Sequence, residues 1–296
     1  MRRLIRWLLA AALALLAWQM FRAVRAARFE LSYFRPRHWD VPRPPDADAL
    51  GLREATFTSD STTLRGWYLP TRNGAAIVAV HGSGGDRRDL LPEARLFAAA
   101  GYGVLLYDSP GHGESGGTPR WGAPERAAVR AAIGYLLQQP DVRAERLGAY
   151  GYSLGGYVVA GAAAEDPRIR AVAIAGTPSD PIEQTRYEYR HSGPFGVVGA
   201  LTGVRLSGMD VRTARAIDVV AAIAPRPLLI VGSAGDGSVP ASMASQLFQA
   251  AHDPKELLIL ERADHGKYFE AAPEYGTRLR EFFDRTLLGA PPTTAP

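Results

Sequence analysis

In the stretch Gly151-Tyr152-Ser153-Leu154-Gly155, a serine stands between two glycines, after an apolar run at residues 147–152 and before a small-residue helical segment at 154–164. The pattern is G-x-S-x-G, and its setting is strand, turn, helix. A serine on so sharp a turn sits in strained backbone. Gly151 and Gly155 remove side chains that would collide there, and Gly156 lets the helix approach the neighbouring strands. The turn also sets the hydroxyl at a helix N-terminus, where free N–H groups and the helix dipole favour developing negative charge. Ser153 is therefore the candidate nucleophile. The bland alternative is a plain tight turn.

Outward from this turn the chain alternates. Residues 55–59 and 63–69 read as a paired strand couple. Residues 75–80 form a continuous apolar run, as in a strand buried on both faces. Further strands fall at 102–107, 169–175, 227–231 and 256–260, and helices at 91–100, 123–139, 241–251 and 273–286, with an irregular stretch before 227. Such alternation implies a mostly parallel sheet covered by helices on both faces.

A serine hydroxyl needs a general base, and histidine suits that role near neutrality. Of six histidines, His38 precedes the domain, His191 lies in the irregular stretch and His252 follows a helix beside Asp253. His81 and His112 lie in glycine-rich loops. His265 follows the last strand, in Ala263-Asp264-His265-Gly266, and the carboxyl ends of parallel strands are where such sheets carry ligand chemistry. His265 is the candidate base. Asp236, in the loop after residues 227–231, is the candidate acid that orients it. Asp264 is adjacent to His265 and poorly placed to bond its ring, and Asp218 reads as a helix N-cap. An oxyanion requires preformed donors. The backbone N–H groups of Leu154 and of Ser83, in His81-Gly82-Ser83-Gly84-Gly85-Asp86, are the candidates. The absence of a following Gly-Lys-Ser/Thr argues against a phosphate-cradling loop.

The N-terminus is of another kind. Residues 7–21 are apolar apart from Gln19, with Arg2, Arg3 and Arg6 before them and Arg22, Arg25 and Arg28 after. As a helix this stretch rises about 22 Å, short of a hydrocarbon core of about 30 Å. Snorkelling arginines and interfacial Trp7 and Trp18 close the gap. A single-pass membrane anchor is the favoured reading. A cleaved signal peptide, leading to secretion, is the rival, although arginines crowd the place of cleavage. Charge on the two sides is balanced, so the orientation stays open. The expected organisation is anchor or signal at 1–30, linker at 31–53, domain at 54–288 and a disordered tail at 289–296.

The net charge of +4 belongs largely to this N-terminal region. No basic stripe marks the domain, which argues against a nucleic-acid partner. The chain has no cysteine, which excludes disulfides, thiolate nucleophiles and Cys-ligated zinc. Scattered carboxylates and the absence of a histidine pair at helical ligand spacing imply no metal, and no organic cofactor is expected.

Taken together, His81–Gly85, Asp108-Ser109-Pro110-Gly111-His112-Gly113-Glu114-Ser115, the Ser153 turn, Pro225-Arg226-Pro227 leading to Asp236, and Asp264-His265-Gly266 resemble the α/β-hydrolase superfamily. The chain is most similar to its serine aminopeptidase/esterase-like branch, which includes Bem46-type membrane-anchored hydrolases. The resemblance implies an eight-stranded sheet with the second strand antiparallel. It also implies a small lid insertion after the sixth strand, here about 177–216. The order Ser153, Asp236, His265 is the order of that fold. The expected activity is hydrolysis of a small-molecule ester, with thioesters, amides and acyl transfer open on the same machinery. Lyase chemistry on the same triad and a non-catalytic, membrane-tethered interaction domain are the alternatives. The apolar, glycine-rich run 194–201 suggests a lid near a bilayer and an apolar acyl substrate; simple packing of that run onto the core is the more economical reading.

Overall fold

The computed structural model describes residues 1–33, 35–209, 211 and 215–291. The strands of the main sheet are β1 (Arg53–Ser59), β2 (Thr62–Leu69), β3 (Ala76–Val80), β4 (Gly103–Tyr107), β5 (Leu147–Tyr152), β6 (Ala171–Ala175), β7 (Leu228–Ser233) and β8 (Lys255–Leu260); the short strands Arg37–His38 and His112–Gly113 pair separately. The main sheet is eight-stranded, in the order β8-β7-β6-β5-β3-β4-β2-β1. Only β2 runs against its neighbours, pairing antiparallel with β1 and β4. This is the α/β-hydrolase fold.

The central strands are apolar along their whole length because both faces are covered. Every residue of β3, β4 and β6 is buried. Alternate side chains feed two cores. Val78, Val80 and Ala149 pack with α3 (Ala123–Leu137), α4 (Leu154–Glu165) and α7 (Ala241–Ala250) on one face. Ile77, Ala79 and Tyr150 pack with α2 (Leu91–Ala99) and α8 (Pro273–Leu288) on the other.

Three expectations need correction. The stretch expected to be irregular folds largely into α5 (Pro181–Glu188) and α6 (Gly193–Leu206). Asp180 caps α5, accepting the N–H groups of Ile182 and Glu183, and Pro181 opens it. Second, residues 41–52 do not run free as a linker: Val41, Ala47 and Leu52 are buried, and Asp46 is paired with Arg95 at 2.8 Å. Successive turns over residues 45–51, closed by the Ala47 N–H to Pro44 O and the Leu52 N–H to Ala47 O, bring these few apolar side chains to the core. Third, Asp218 ends a short 3-10 turn, Ala216–Asp218, and pairs with Arg215 at 3.4 Å instead of capping a helix. Of the expected tail, residues 292–296 lie outside the described residues, as do 210 and 212–214 of the insertion.

The N-terminal helix α1 (Arg2–Tyr33) is one continuous helix of 32 residues. It is long and apolar enough to cross a membrane or to serve as a signal sequence. Leu8, Leu13 and Leu16 are more than half exposed. Its last three turns differ from the rest, because they lie along α6. A Cβ on Gly199 would collide with the carbonyl of Ala23, and one on Gly203 with the backbone of Ala27. The glycines of α6 thus form a groove for a second helix, the close backbone approach that small residues permit. Ala26 and Glu30 are buried in this contact.

Candidate active site

Ser153 joins β5 to α4 at φ 54° and ψ −127°. Positive φ is costly for a residue with a side chain; here it is held by the Ser153 N–H donating to Ala175 O at 2.8 Å and by the start of α4. The flanking glycines are steric necessities. A Cβ on Gly151 would strike the backbone of Gly155, and one on Gly155 the carbonyls of Val80 and His81. The Ser153 hydroxyl stands 3.0 Å from His265 Nε2, and His265 Nδ1 stands 2.7 Å from Asp236 Oδ2. A carboxylate at Nδ1 fixes the tautomer with the proton there, which leaves Nε2 as acceptor for the serine proton.

Asp236 is 3% exposed and fully bonded. Its Oδ1 accepts the N–H groups of Ser238 at 2.8 Å and Val239 at 2.7 Å. Its Oδ2 accepts the Tyr268 hydroxyl at 2.7 Å in addition to His265. Burial by itself would raise this carboxyl's pKa. The His265 contact, the Val239 N–H and the Tyr268 hydroxyl outweigh burial and hold it below the ordinary aspartate value. Asp264 is committed elsewhere, accepting the N–H groups of His265 at 2.8 Å and Gly237 at 3.3 Å.

His81 and His112 shape the neighbouring loops. His81 is fully buried; its Nδ1 donates to Gly82 O at 2.7 Å and its Nε2 accepts the Ser109 N–H at 2.9 Å. Burial, reinforced by His112, pushes its pKa down to about 3, so it is a neutral strut. It steadies the loop after β3, where Gly82 runs against Ser153: a Cβ there would lie 3.0 Å from the serine Cβ. The N–H groups of Ser83 and Leu154 have no protein acceptor among the described residues. Both residues line a cavity of about 160 Å³ together with Ser153 and His265. A second cavity, of about 380 Å³, shares Ser83, Ser153 and His265 and continues past Tyr152 and Phe269. Ser153 therefore has space on two sides. Among the described residues, no three His, Asp or Glu side chains gather as metal ligands.

Two contributions escaped the sequence reading. Tyr268, three residues beyond His265, supplies the extra donor to Asp236. Glu30 of α1 lines the smaller cavity, and its carboxyl bonds with Tyr189. A third group lies behind the site. Glu93 is buried and accepts the Tyr150 hydroxyl at 3.1 Å. Burial raises its pKa to about 7 against the hydrogen bonds it receives. A carboxyl with a raised folded-state pKa stabilises the fold at low pH and loses that contribution as pH climbs from its unfolded value towards 7. Glu93→Gln, which never ionises, is expected to match the native chain at pH 5 and to exceed it at pH 8 by on the order of 1–3 kcal/mol. Thermal unfolding at both pH values tests this; a variant less stable than the native chain at pH 8 contradicts it.

Known proteins agree with this architecture. The family model described as X-Pro dipeptidyl-peptidase (S15 family) matches residues 48–223, more than half of the chain, including Ser83, Ser153 and Leu154. YfhR of Escherichia coli O157:H7 is 26% identical over 252 residues, which covers 82% of this chain and 83% of YfhR. The crystal structure of the α/β hydrolase GrgF from Penicillium superposes with a TM-score of 0.65 at 24% identity, over 80% of this chain and 99% of GrgF. The Pyrococcus furiosus esterase Pf2001 reaches a TM-score of 0.74 at 18% identity, over 86% and 98% of the two chains. With its antiparallel second strand, its glycine-flanked serine turn and this family match, the chain is a hydrolase of the α/β type and belongs to the X-Pro dipeptidyl-peptidase (S15) family.

Proposed function

We propose that the protein is a serine hydrolase that cleaves small carboxylic esters through an acyl-enzyme on Ser153. The observation that carries the reading is the continuous contact from hydroxyl to imidazole to carboxylate, 3.0 Å and then 2.7 Å. Ser153 Oγ attacks the ester carbonyl while His265 Nε2 takes its proton. The carbonyl oxygen becomes an oxyanion and accepts the N–H groups of Leu154 and Ser83. Collapse expels the alkoxide, which leaves with the proton from His265, and the acyl group stays on Ser153. Water then attacks the acyl-enzyme, giving its proton to His265. A second collapse frees the acid and returns the proton to Ser153. Asp236 holds the ring and balances its charge when protonated.

The smaller cavity supports a short acyl group, since an apolar void of about 150 Å³ holds benzene. Amides and thioesters undergo the same steps, and the family match favours peptide amides as the second reading. Membership of the Bem46-type branch rests on the motifs and on α1. We read α1 as a retained anchor, because Glu30 forms part of the cavity wall and α6 is grooved to receive the helix; a cleaved signal would take that wall away.

The test is labelling of the full chain by a fluorophosphonate probe, followed by p-nitrophenyl esters of graded length and dipeptide anilides. Labelling is expected for the native chain and absent after Ser153→Ala, with butyrate cleaved faster than decanoate. Labelling that survives the substitution removes Ser153 from its role, and faster cleavage of anilides than of esters moves the assignment to the peptidase reading.

A further inference from the structure

A third cavity, of about 480 Å³, opens where α1 leaves its apolar stretch, between that helix and the start of α6. Arg22, Arg25 and Phe29 of α1 line it on one side, Tyr189 and Ser192 on the other. Positions 22, 25, 26 and 29 of the lining are spaced i, i+3, i+4, i+7, so one face of α1 presents both guanidinium groups to one space. Neither arginine has a carboxylate partner among the described residues, whereas Arg87, Arg88, Arg95 and Arg168 each have one. Glu30 lies farther along the helix and lines the catalytic cavity instead.

The height of this cavity identifies its occupant. The apolar stretch ends at Phe21. At about 1.5 Å per residue, Arg22 and Arg25 follow it by roughly 1.5 and 6 Å. The polar headgroup layer on each side of a bilayer is about 5–7 Å deep, the difference between its total and hydrocarbon thickness shared over two leaflets. Both arginines thus fall at the level of lipid phosphates. Guanidinium groups bind phosphate through paired N–H donors, and the Ser192 hydroxyl adds a neutral donor.

We propose that this cavity binds the phosphate headgroup of an anionic membrane lipid, clamping the anchor helix to the lid. The proposal rests on the reading of α1 as a membrane anchor. It also gives the lid a link to the active site: Tyr189 lines the headgroup cavity, and it is bonded to Glu30, which lines the catalytic one.

The experiment uses the full chain in a neutral detergent, with thermal unfolding followed as dioleoyl phosphatidylglycerol, dioleoyl phosphatidylcholine or inorganic phosphate is added. Phosphatidylglycerol is expected to raise the unfolding temperature in a saturable way, with no change from the other two. Each arginine near an anionic surface contributes roughly fivefold in affinity, so Arg22→Gln/Arg25→Gln is expected to weaken lipid binding about 30-fold. An equal response to phosphatidylcholine, an undiminished affinity in the double variant, or saturation by inorganic phosphate alone overturns the proposal. Extraction of membranes with alkaline carbonate separates the two readings. Release of the chain removes the anchor and the headgroup site together; retention without any lipid preference removes the headgroup site alone.

Discussion

Ser153→Ala is expected to lower ester turnover by about 10⁶-fold while the chain keeps its unfolding temperature. The size follows from cooperation within the catalytic group: in a serine protease, loss of the nucleophile costs about as much as loss of all three residues. Alanine cannot form the acyl-enzyme, and His265 is left 3.0 Å from a position with no proton to give. Asp236→Asn is expected to cost less, about 10⁴-fold, because the amide stabilises the wrong tautomer of the imidazole while leaving the hydroxyl in place. The ordering is the informative part. Steady-state hydrolysis of p-nitrophenyl butyrate measures it, with circular dichroism to verify folding. Turnover of Ser153→Ala within tenfold of the native chain would sink the assignment.

Arg87→Met is expected to be the most damaging single change to the fold outside the sheet. Arg87 is 2% exposed and Asp108 is fully buried. The Nη1 of Arg87 lies 2.6 Å from Asp108 Oδ2, its Nη2 2.5 Å from Glu114 Oε2, and its guanidinium stacks 4.5 Å over the Trp67 ring. The backbone N–H groups of Arg87 and Glu114 also donate to Asp108, each at 2.9 Å. The carboxylate thus ties the loop after β3 to the loop after β4. Burial raises the Asp108 pKa to about 6 despite Arg87, so it is ionised at neutrality. Removing the guanidinium leaves a buried charge without its counterion, a loss of about 3–5 kcal/mol. At roughly 2–4 °C per kcal/mol for a domain of this size, the unfolding temperature falls by about 10 °C. The loss is larger at pH 8 than at pH 5, because without Arg87 the carboxyl is neutralised more easily as pH falls. Calorimetry at the two pH values decides; a loss under about 1 kcal/mol at pH 8 means that the pair is not needed.

The parts of this protein that were legible in its sequence are those fixed by local geometry. A serine between two glycines after an apolar strand leaves few backbone solutions, and the structure has the strained turn that the pattern implies. Asp236 was separable from Asp264 because a side chain adjacent to His265 cannot reach around to its ring, and Asp264 bonds backbone N–H groups instead. The less legible parts depend on long-range packing. Tyr268 has no pattern that distinguishes a donor to Asp236 from an ordinary core tyrosine. The glycines at 196, 199 and 203 weaken a helix taken by itself, so residues 193–206 read as irregular; the purpose of Gly199 and Gly203 becomes evident only when α1 lies in the groove. The apolar run at the N-terminus likewise obscured Ala26 and Glu30, whose burial depends on a partner almost 180 residues away in sequence. Val41, Ala47 and Leu52 are too sparse among prolines and aspartates to signal a packed segment.

The continuity of α1 bears on how the enzyme is prepared for the bench. Trimming the first thirty-three residues is the obvious route to a water-soluble sample. It would also strip the glycine groove of α6 of its cover and delete an acidic side chain from the chamber beside Ser153. Kinetics recorded on such a fragment would describe a differently shaped pocket, and substrate preferences drawn from it would not transfer to the intact enzyme.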